Sequence, residues 1–508
     1  MTRKTIILLF TVMLFAACEN NNVVKINIDK VVTQNFIGNG VQWDPYPHAD
    51  SHSADWGLLM TDEKWQMVFN RLDYMQPRLV RVVDQANWRY LHGFDNKGNP
   101  ILDFNSPEEK ALEKLLNYCQ RKNITVMLGE WGTPYAVHDT KAGFSDVLTG
   151  ANDSRWIEMI VKHLDYLITQ KGFTCIRYFN LVNEPNGYWA STNGNWDEWS
   201  EGVSMLANVI LEAKLDKYVT IAGPDAVAHY NHPNGLYTGM QWVEQAAKQL
   251  NNELGALEIH AYFDQSVIRE ARFDSIYKPL VEIARSIEKP ILFGEVGFEK
   301  NTPENQARVE TDPHASPDSY MAVYDFQHGL DMADAAIQIM NTGFQGAAAW
   351  ALDDAMHTQD DSGDKNKLKR WGMWNILGTE ICNNPADENI RPWFFTWSLM
   401  CRYIKPGSQV VETSSLNTTG LRFVFTYNEN DFTLAAVNQL NIKQSIDVEM
   451  PENFRHQQIQ FFNYRKNNFK TNENGFPLAE NNVKIGQSGR IKLVLPPKTF
   501  QLITTYTY

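Results

Sequence analysis

From about residue 36 to residue 404 the chain alternates short apolar, β-rich runs with longer stretches in which apolar positions recur every three or four residues. The first kind suits a strand covered on both faces and the second an amphipathic helix that covers it, the pattern of parallel βαβ units. Eight strands are predicted, at Phe36–Val41, Leu79–Val83, Thr125–Leu128, Cys175–Leu181, Tyr218–Ala222, Ala256–His260, Ile291–Phe293 and Gly346–Trp350. Helices are predicted between them, among them Glu108–Lys122, Asp153–Gln170, Trp196–Lys217, Met240–Asn251 and Asp318–Asn341. In the first of these, Leu112, Leu115, Leu116 and Cys119 form one apolar stripe. Eight strands, each followed by a helix, predict an α/β fold: a (β/α)8 TIM barrel with enlarged loops. An open doubly wound sheet is the alternative, but no glycine-rich phosphate turn follows the first strand.

The period then changes. A helix beginning near Trp393 is stopped by Pro406-Gly407, and Val410 to Tyr508 reads as short alternating segments. They are Leu421–Tyr427, Phe432–Val437, Ser445–Met450, Gln457–Tyr464, Arg490–Leu495 and Phe500–Thr505. Residues 405–508 are therefore expected to form an all-β sandwich domain behind a barrel spanning 36–404. The alternating run Val24–Val32, within a tether at 18–35, is a candidate first strand of that sandwich.

Residues 1–17 are expected to lie outside the fold. Arg3 and Lys4 precede an apolar run from Ile6 to Phe15, followed by Ala16-Ala17-Cys18, which has the layout of a signal peptide. The ending Leu14-Phe15-Ala16-Ala17-Cys18 resembles a bacterial lipobox, although Phe15 stands where Leu is usual. The resemblance implies acylation of Cys18 and an exported lipoprotein, at the outer membrane, cell surface or periplasm, touching the membrane only through its lipid anchor. An ordinary signal peptide is the alternative. The other cysteines, Cys119, Cys175, Cys382 and Cys401, are scattered without a CxxC and are expected to be free.

Composition narrows the partners. A formal net charge of -14 over 508 residues argues against nucleic acid, whose binding needs clustered cations. The 15 Trp, 20 Tyr and 26 Phe leave enough aromatic surface for a core and for flat platforms in a groove.

Two sequence runs carry chemistry. In Tyr178-Phe179-Asn180-Leu181-Val182-Asn183-Glu184-Pro185 an apolar strand delivers Asn183 and Glu184 to its C-terminal end, where Pro185 halts it. In Ile291-Leu292-Phe293-Gly294-Glu295 a second carboxylate ends another strand. By count these are strands four and seven, and the C-terminal end of a barrel strand faces the active site. Two carboxylates across a barrel mouth, one protonated and one ionised, are what glycosidic bond cleavage needs.

With these residues the chain resembles the clan A glycoside hydrolases, retaining (β/α)8-barrel enzymes with catalytic glutamates after strands four and seven. Asn183-Glu184-Pro185 matches the clan's Asn-Glu-Pro, and Glu295 its nucleophile. The resemblance implies that Glu184 is the acid/base, that Arg81 and Tyr262 hold Glu295, and that Asn183 binds the sugar 2-hydroxyl. It further implies that His260 contacts Glu184 or substrate, and that Trp350 floors the sugar site. The substrate it implies is a β-linked poly- or oligosaccharide, with no cofactor. One element departs: many members carry a His after strand three, where this chain has Leu128-Gly129-Glu130-Trp131. Glu130 is then either a partner of a nearby Arg or a ligand for a substrate hydroxyl.

Loops after the strands are expected to set specificity. They hold Trp43-Asp44-Pro45-Tyr46 with His48, Trp88-Arg89, Trp131, and Trp189, Trp196 and Trp199. Most of these tryptophans are expected to pack between helix and barrel, with a few, Trp43 and Trp131 among the candidates, meeting substrate. Asp353, Asp354, His357, Asp360 and Asp361 are expected to form a solvated loop face and no metal site. Two other functions fit the same architecture: a non-catalytic surface glycan-binding protein, which has no need of both glutamates, and a transglycosylase.

Overall fold

The computed structural model describes residues 23–44, 59–134, 148–354, 358–359, 364–414, 416 and 418–508. Cys18, Pro45, Tyr46, His48, His357, Asp360 and Asp361 lie outside the described residues. Eight parallel strands close into a barrel: β1 (Gly38–Gln42), β2 (Leu79–Asp84), β3 (Thr125–Glu130), β4 (Ile176–Asn180), β5 (Thr220–Val227), β6 (Leu254–Phe263), β7 (Ile291–Phe298) and β8 (Gly346–Ala349). Each coincides with a predicted strand, and several run further toward the mouth.

The lower interior is a packed plug of Leu79, Met127, Ala222, Ala256, Leu292 and Ala348, with Tyr178 and Ile37 against it. Alternation along a strand returns every second side chain to that interior. Above Leu79 this places Arg81, above Tyr178 Asn180, and above Ala256 the series Glu258, His260 and Tyr262. A charged layer thus rests directly on an apolar floor.

Two residues of that layer break the alternation. On β7, Leu292 points inward, so Gly294 should too and Glu295 should not. The pairing of β7 with β6 shifts between Phe293 and Glu295, however, and this bulge turns Glu295 inward. Gly294 permits it, since a Cβ there would collide with the Glu258 carboxylate and come within 3.1 Å of His260 Nε2. On β5 the register with β6 shifts between Pro224 and Ala226, and Asp225 adopts φ 61.

Most predicted helices form with shifted ends: Pro107–Lys122 and Gly239–Gln249 each begin one residue earlier than predicted, and Trp196–Glu212 and Gly239–Gln249 end earlier. Two differ from expectation. Asp153–Gln170 becomes an α-helix at Ser154–Asp165 running into a π turn at Tyr166–Gln170. Asp318–Asn341 splits into a 3-10 turn, Met321–Tyr324, and a helix, Phe326–Thr342, because Asp325 between them is extended. Its carboxylate instead accepts from Arg308 at 2.7 Å.

The second unit is a β-sandwich built on nine hydrogen-bonded strands. Its leading strand, Val23–Phe36, pairs antiparallel with Ser408–Thr413 and parallel with Gln444–Glu449, so the N-terminal segment joins the C-terminal domain. Phe423, Phe425, Leu434, Ala436, Ile446 and Leu493 fill the sandwich interior. The alternate residues Val424, Ala435, Val437, Phe462 and Leu502 join the barrel's core instead, so one sheet serves two interiors. The exposed edge strand Asn481–Lys484 carries no apolar alternation and is absent from the sequence expectation. Among the described residues the four cysteines are free.

Candidate active site

Arg81 is the hub of the mouth. It is fully buried and divides its donors among four residues. Nη1 donates to Gln42 Oε1 at 2.5 Å and Glu295 Oε1 at 2.7 Å. Nη2 donates to Asn183 Oδ1 at 2.8 Å and to both oxygens of Asp225, at 3.0 and 2.9 Å. A guanidinium presents its donors in a fixed fork, so it fixes the relative placement of strand ends as well as their charge.

His260 is the second hub. Its Nδ1 lies 2.9 Å from Glu184 Oε1 and 3.5 Å from Glu295 Oε2, while Nε2 lies 2.9 Å from Asp225 Oδ1 and 3.5 Å from Glu258 Oε1. Burial disfavours charge on this imidazole, yet Glu295 and Asp225 together raise its pKa well above the ordinary value. The charged ring is thereby favoured; its Nδ1 hydrogen-bonds Glu184, while Nε2 faces the Asp225 and Glu258 carboxyl groups.

The two predicted glutamates are wired differently. Glu295 accepts from Arg81 and, at 2.5 Å, from the Tyr262 hydroxyl, and its side chain is 4% exposed. Burial holds its carboxyl above the usual range, although His260 and Arg81 pull it down. Glu184 lies between His260 and the indole of Trp189, which donates to Oε2 at 2.6 Å; its side chain is 13% exposed and so reaches the cleft. Its backbone is left-handed, with φ 50, a conformation that non-glycine residues hold at some cost and often at functional sites. One oxygen of Glu184 and one of Glu295 lie within 4.8 Å of each other.

Asp225 and Glu258 complete the layer and carried no sequence motif. Arg81 and His260 overcome burial and hold the Asp225 carboxyl below the usual range, whereas burial and the Asp225 charge push Glu258 well above it. The pair behaves as one carboxylate and one carboxylic acid. The sets Glu184, His260, Glu295 and Asp225, Glu258, His260 each gather ligand-type atoms within 4.8 Å of one another.

Arg81, Asn183, Glu184, His260, Tyr262 and Glu295 thus come together. Trp350 follows β8, its N–H bonded to Val296 O at 3.0 Å, with its ring edge-on to Trp131 at 6.5 Å; both border the mouth. Trp43 does not take the expected place on substrate: it is 1% exposed and packs on Trp65 at 5.3 Å. Glu130 takes neither expected role. It is buried, accepting from the Tyr90 hydroxyl at 2.6 Å and from Ala86 N–H at 3.1 Å, while Arg89 pairs with Asp84. Burial and the Asp84 charge push its carboxyl well above the usual range. Asp353 and Asp354 are likewise buried: Asp353 accepts from Trp374 Nε1 and Ile376 N–H, each at 3.1 Å.

No protein-family model matches the chain, and no curated protein matches it in sequence. Solved structures share its fold. A glycoside hydrolase family 30 subfamily 8 xylanase from Clostridium acetobutylicum aligns with TM-score 0.62 at 12% identity, over 96% of this chain and 100% of that one. An endo-β-1,6-glucanase aligns with TM-score 0.61 at 14% identity, over 96% and 95%. A conserved exported protein from Bacteroides fragilis aligns with TM-score 0.61 at 13% identity, over 95% and 100%. The likeness covers barrel and sandwich together.

Proposed function

We propose that this chain is a retaining glycoside hydrolase of β-linked poly- or oligosaccharides. The observation that carries this reading is the opposed wiring of Glu184 and Glu295 with carboxylate oxygens within 4.8 Å. A separation of about 5–5.5 Å suits double displacement, whereas inversion needs room for a water. The shared fold supports it: similar structures are described as a xylanase, an endo-β-1,6-glucanase and a β-xylosidase.

Glu295 attacks the anomeric carbon as the glycosidic C–O bond breaks, and Glu184 gives its proton to the departing oxygen. Water then adds to the same carbon. Glu184 takes one water proton, the hydroxyl goes to the sugar, and Glu295 departs as carboxylate. Arg81, Tyr262 and His260 hold Glu295 ionised and aimed, against the burial that would protonate it. Arg81 engages the Asn183 carbonyl, which leaves the Asn183 amide to donate to the sugar 2-hydroxyl. Trp350 and Trp131 form the wall on which the sugar ring rests. Such groups act by meeting charge that develops in the transition state.

The deciding experiment compares protein lacking residues 1–18 with its Glu295→Gln form on β-linked polysaccharides and aryl β-glycosides. Release of reducing ends with retained configuration by the first alone supports the assignment. Tight glycan binding without cleavage by either form withdraws it in favour of a binding protein. We also propose that the chain is exported and anchored through acylated Cys18; Cys18→Ala should then move it from the membrane to the soluble fraction.

A further inference from the structure

Glu184 presents its two oxygens to different surroundings. Oε1 faces His260 and, past it, Glu295, while Oε2 faces away and meets the Trp189 indole. If Glu184 protonates the leaving oxygen, as proposed above, the departing group sits on the Oε2 side. On that side lie aromatic faces that folding does not need. Tyr188 is 67% and Trp189 45% exposed, and their rings meet edge to face at 5.0 Å. Tyr230 stands 4.7 Å from Trp189. Elsewhere among the described residues only Tyr508 is as exposed an aromatic. Gly187 keeps the arrangement, because a Cβ there would come within 2.7 Å of the Trp189 ring.

The track continues past Tyr230. His232 lies 6.5 Å from it, ring to ring, and its Nε2 is 3.1 Å from Asn193 Oδ1. These two residues line a cavity of about 270 Å³ together with Asn195, Asp197, Asn234 and Leu236. Amides, a carboxylate and an imidazole around two apolar side chains, Leu236 and Trp196, match the hydroxyl-rich edge and apolar face of a pyranose, and aromatic surfaces suit stacking on such a ring.

We infer that Trp189, Tyr230 and the Asn193–His232 cavity form successive leaving-side subsites for a glycan chain, so that the enzyme cuts inside chains and needs more than one sugar on the departing side. The test uses the full chain with Tyr230→Ala and His232→Ala on two probes of the sugar that wild type accepts. One is a β-linked oligosaccharide of five or more units; the other is the β-glycosyl fluoride, whose leaving atom reaches none of these subsites. The expected result is a fall in kcat/KM of about tenfold on the oligosaccharide, mostly in KM, with the fluoride changing less than about threefold and cleavage shifting along the chain. Equal losses on both probes, or none on either, overturn the subsites while leaving the glycosidase reading intact. Wild type inactive on every oligosaccharide and every fluoride of the panel overturns that reading and the subsites together.

Discussion

Arg370 and Arg391 meet Asp354 and Asp387 after β8, each of the four at most 8% exposed. Arg81 and His260 meet Glu184, Glu295, Asp225 and Glu258 at the barrel mouth. In the first cluster two cations face two enclosed carboxylates, with Asp312 at the rim, 3.5 Å from Arg370. Asp354 also accepts the backbone N–H groups of Trp371 and Gly372, at 2.9 and 2.6 Å. Burial notwithstanding, its arginines hold Asp387 below the usual range. In the second, two cations face four carboxyl groups, and burial pushes Glu295 and Glu258 upward instead. A balanced buried cluster fixes every proton and can only hold structure. An excess of carboxyl groups leaves protons to be moved, which is what acid–base chemistry uses.

The largest expected contrast comes from removing one member of each cluster. Glu295→Gln should cut kcat on the order of 10³-fold or more with no loss of melting temperature. Arg391→Ala takes from buried Asp354 its nearest cation, so it should cost about 3–5 kcal/mol in denaturant unfolding while the folded fraction keeps its kcat; equal activity loss in both variants would erase the distinction.

The next effect is on pH. Glu258 and His260 both have folded pKa values above their ordinary 4.5 and 6.5. Each binds more protons folded than unfolded, so the stability it contributes is complete below its ordinary value and lost as pH rises through the folded one. Unfolding free energy should therefore decline as pH is raised from the Glu258 window into the His260 window. Glu258→Gln should flatten the decline, and an unchanged slope would remove Glu258 from the proton account. The smallest effect is expected at Glu130. Buried, and with burial favouring its neutral form, it should tolerate Glu130→Gln at a cost of about 1 kcal/mol, with kcat/KM moving less than about twofold; a large kinetic loss would return it to the substrate.

Which parts were legible follows from geometry. Asn183, Glu184 and Glu295 announce themselves from their place at the ends of strands, whereas Arg81, His260 and Tyr262 are legible in the sequence only through its resemblance to clan A glycoside hydrolases. Asp225 and Glu258 carried no such mark. Glu258 sits mid-strand like any buried residue, and Asp225 turns inward only through a bulge whose sole trace is Pro224 before it. Strand-end position makes Trp43 a substrate candidate and leaves Glu130 between an arginine partner and a substrate ligand, and their neighbours, Trp65 and Tyr90, claim them instead.

The sequence by itself determined the eight-strand barrel, its sandwich partner and the two opposed carboxylates, because hydrophobic period and strand-end position are local properties. Tertiary structure alone decided the ionisation of the layer beneath them and the exposed aromatic track beside Glu184. Register shifts, burial and the field of neighbouring charges arise only once eight strands share one interior.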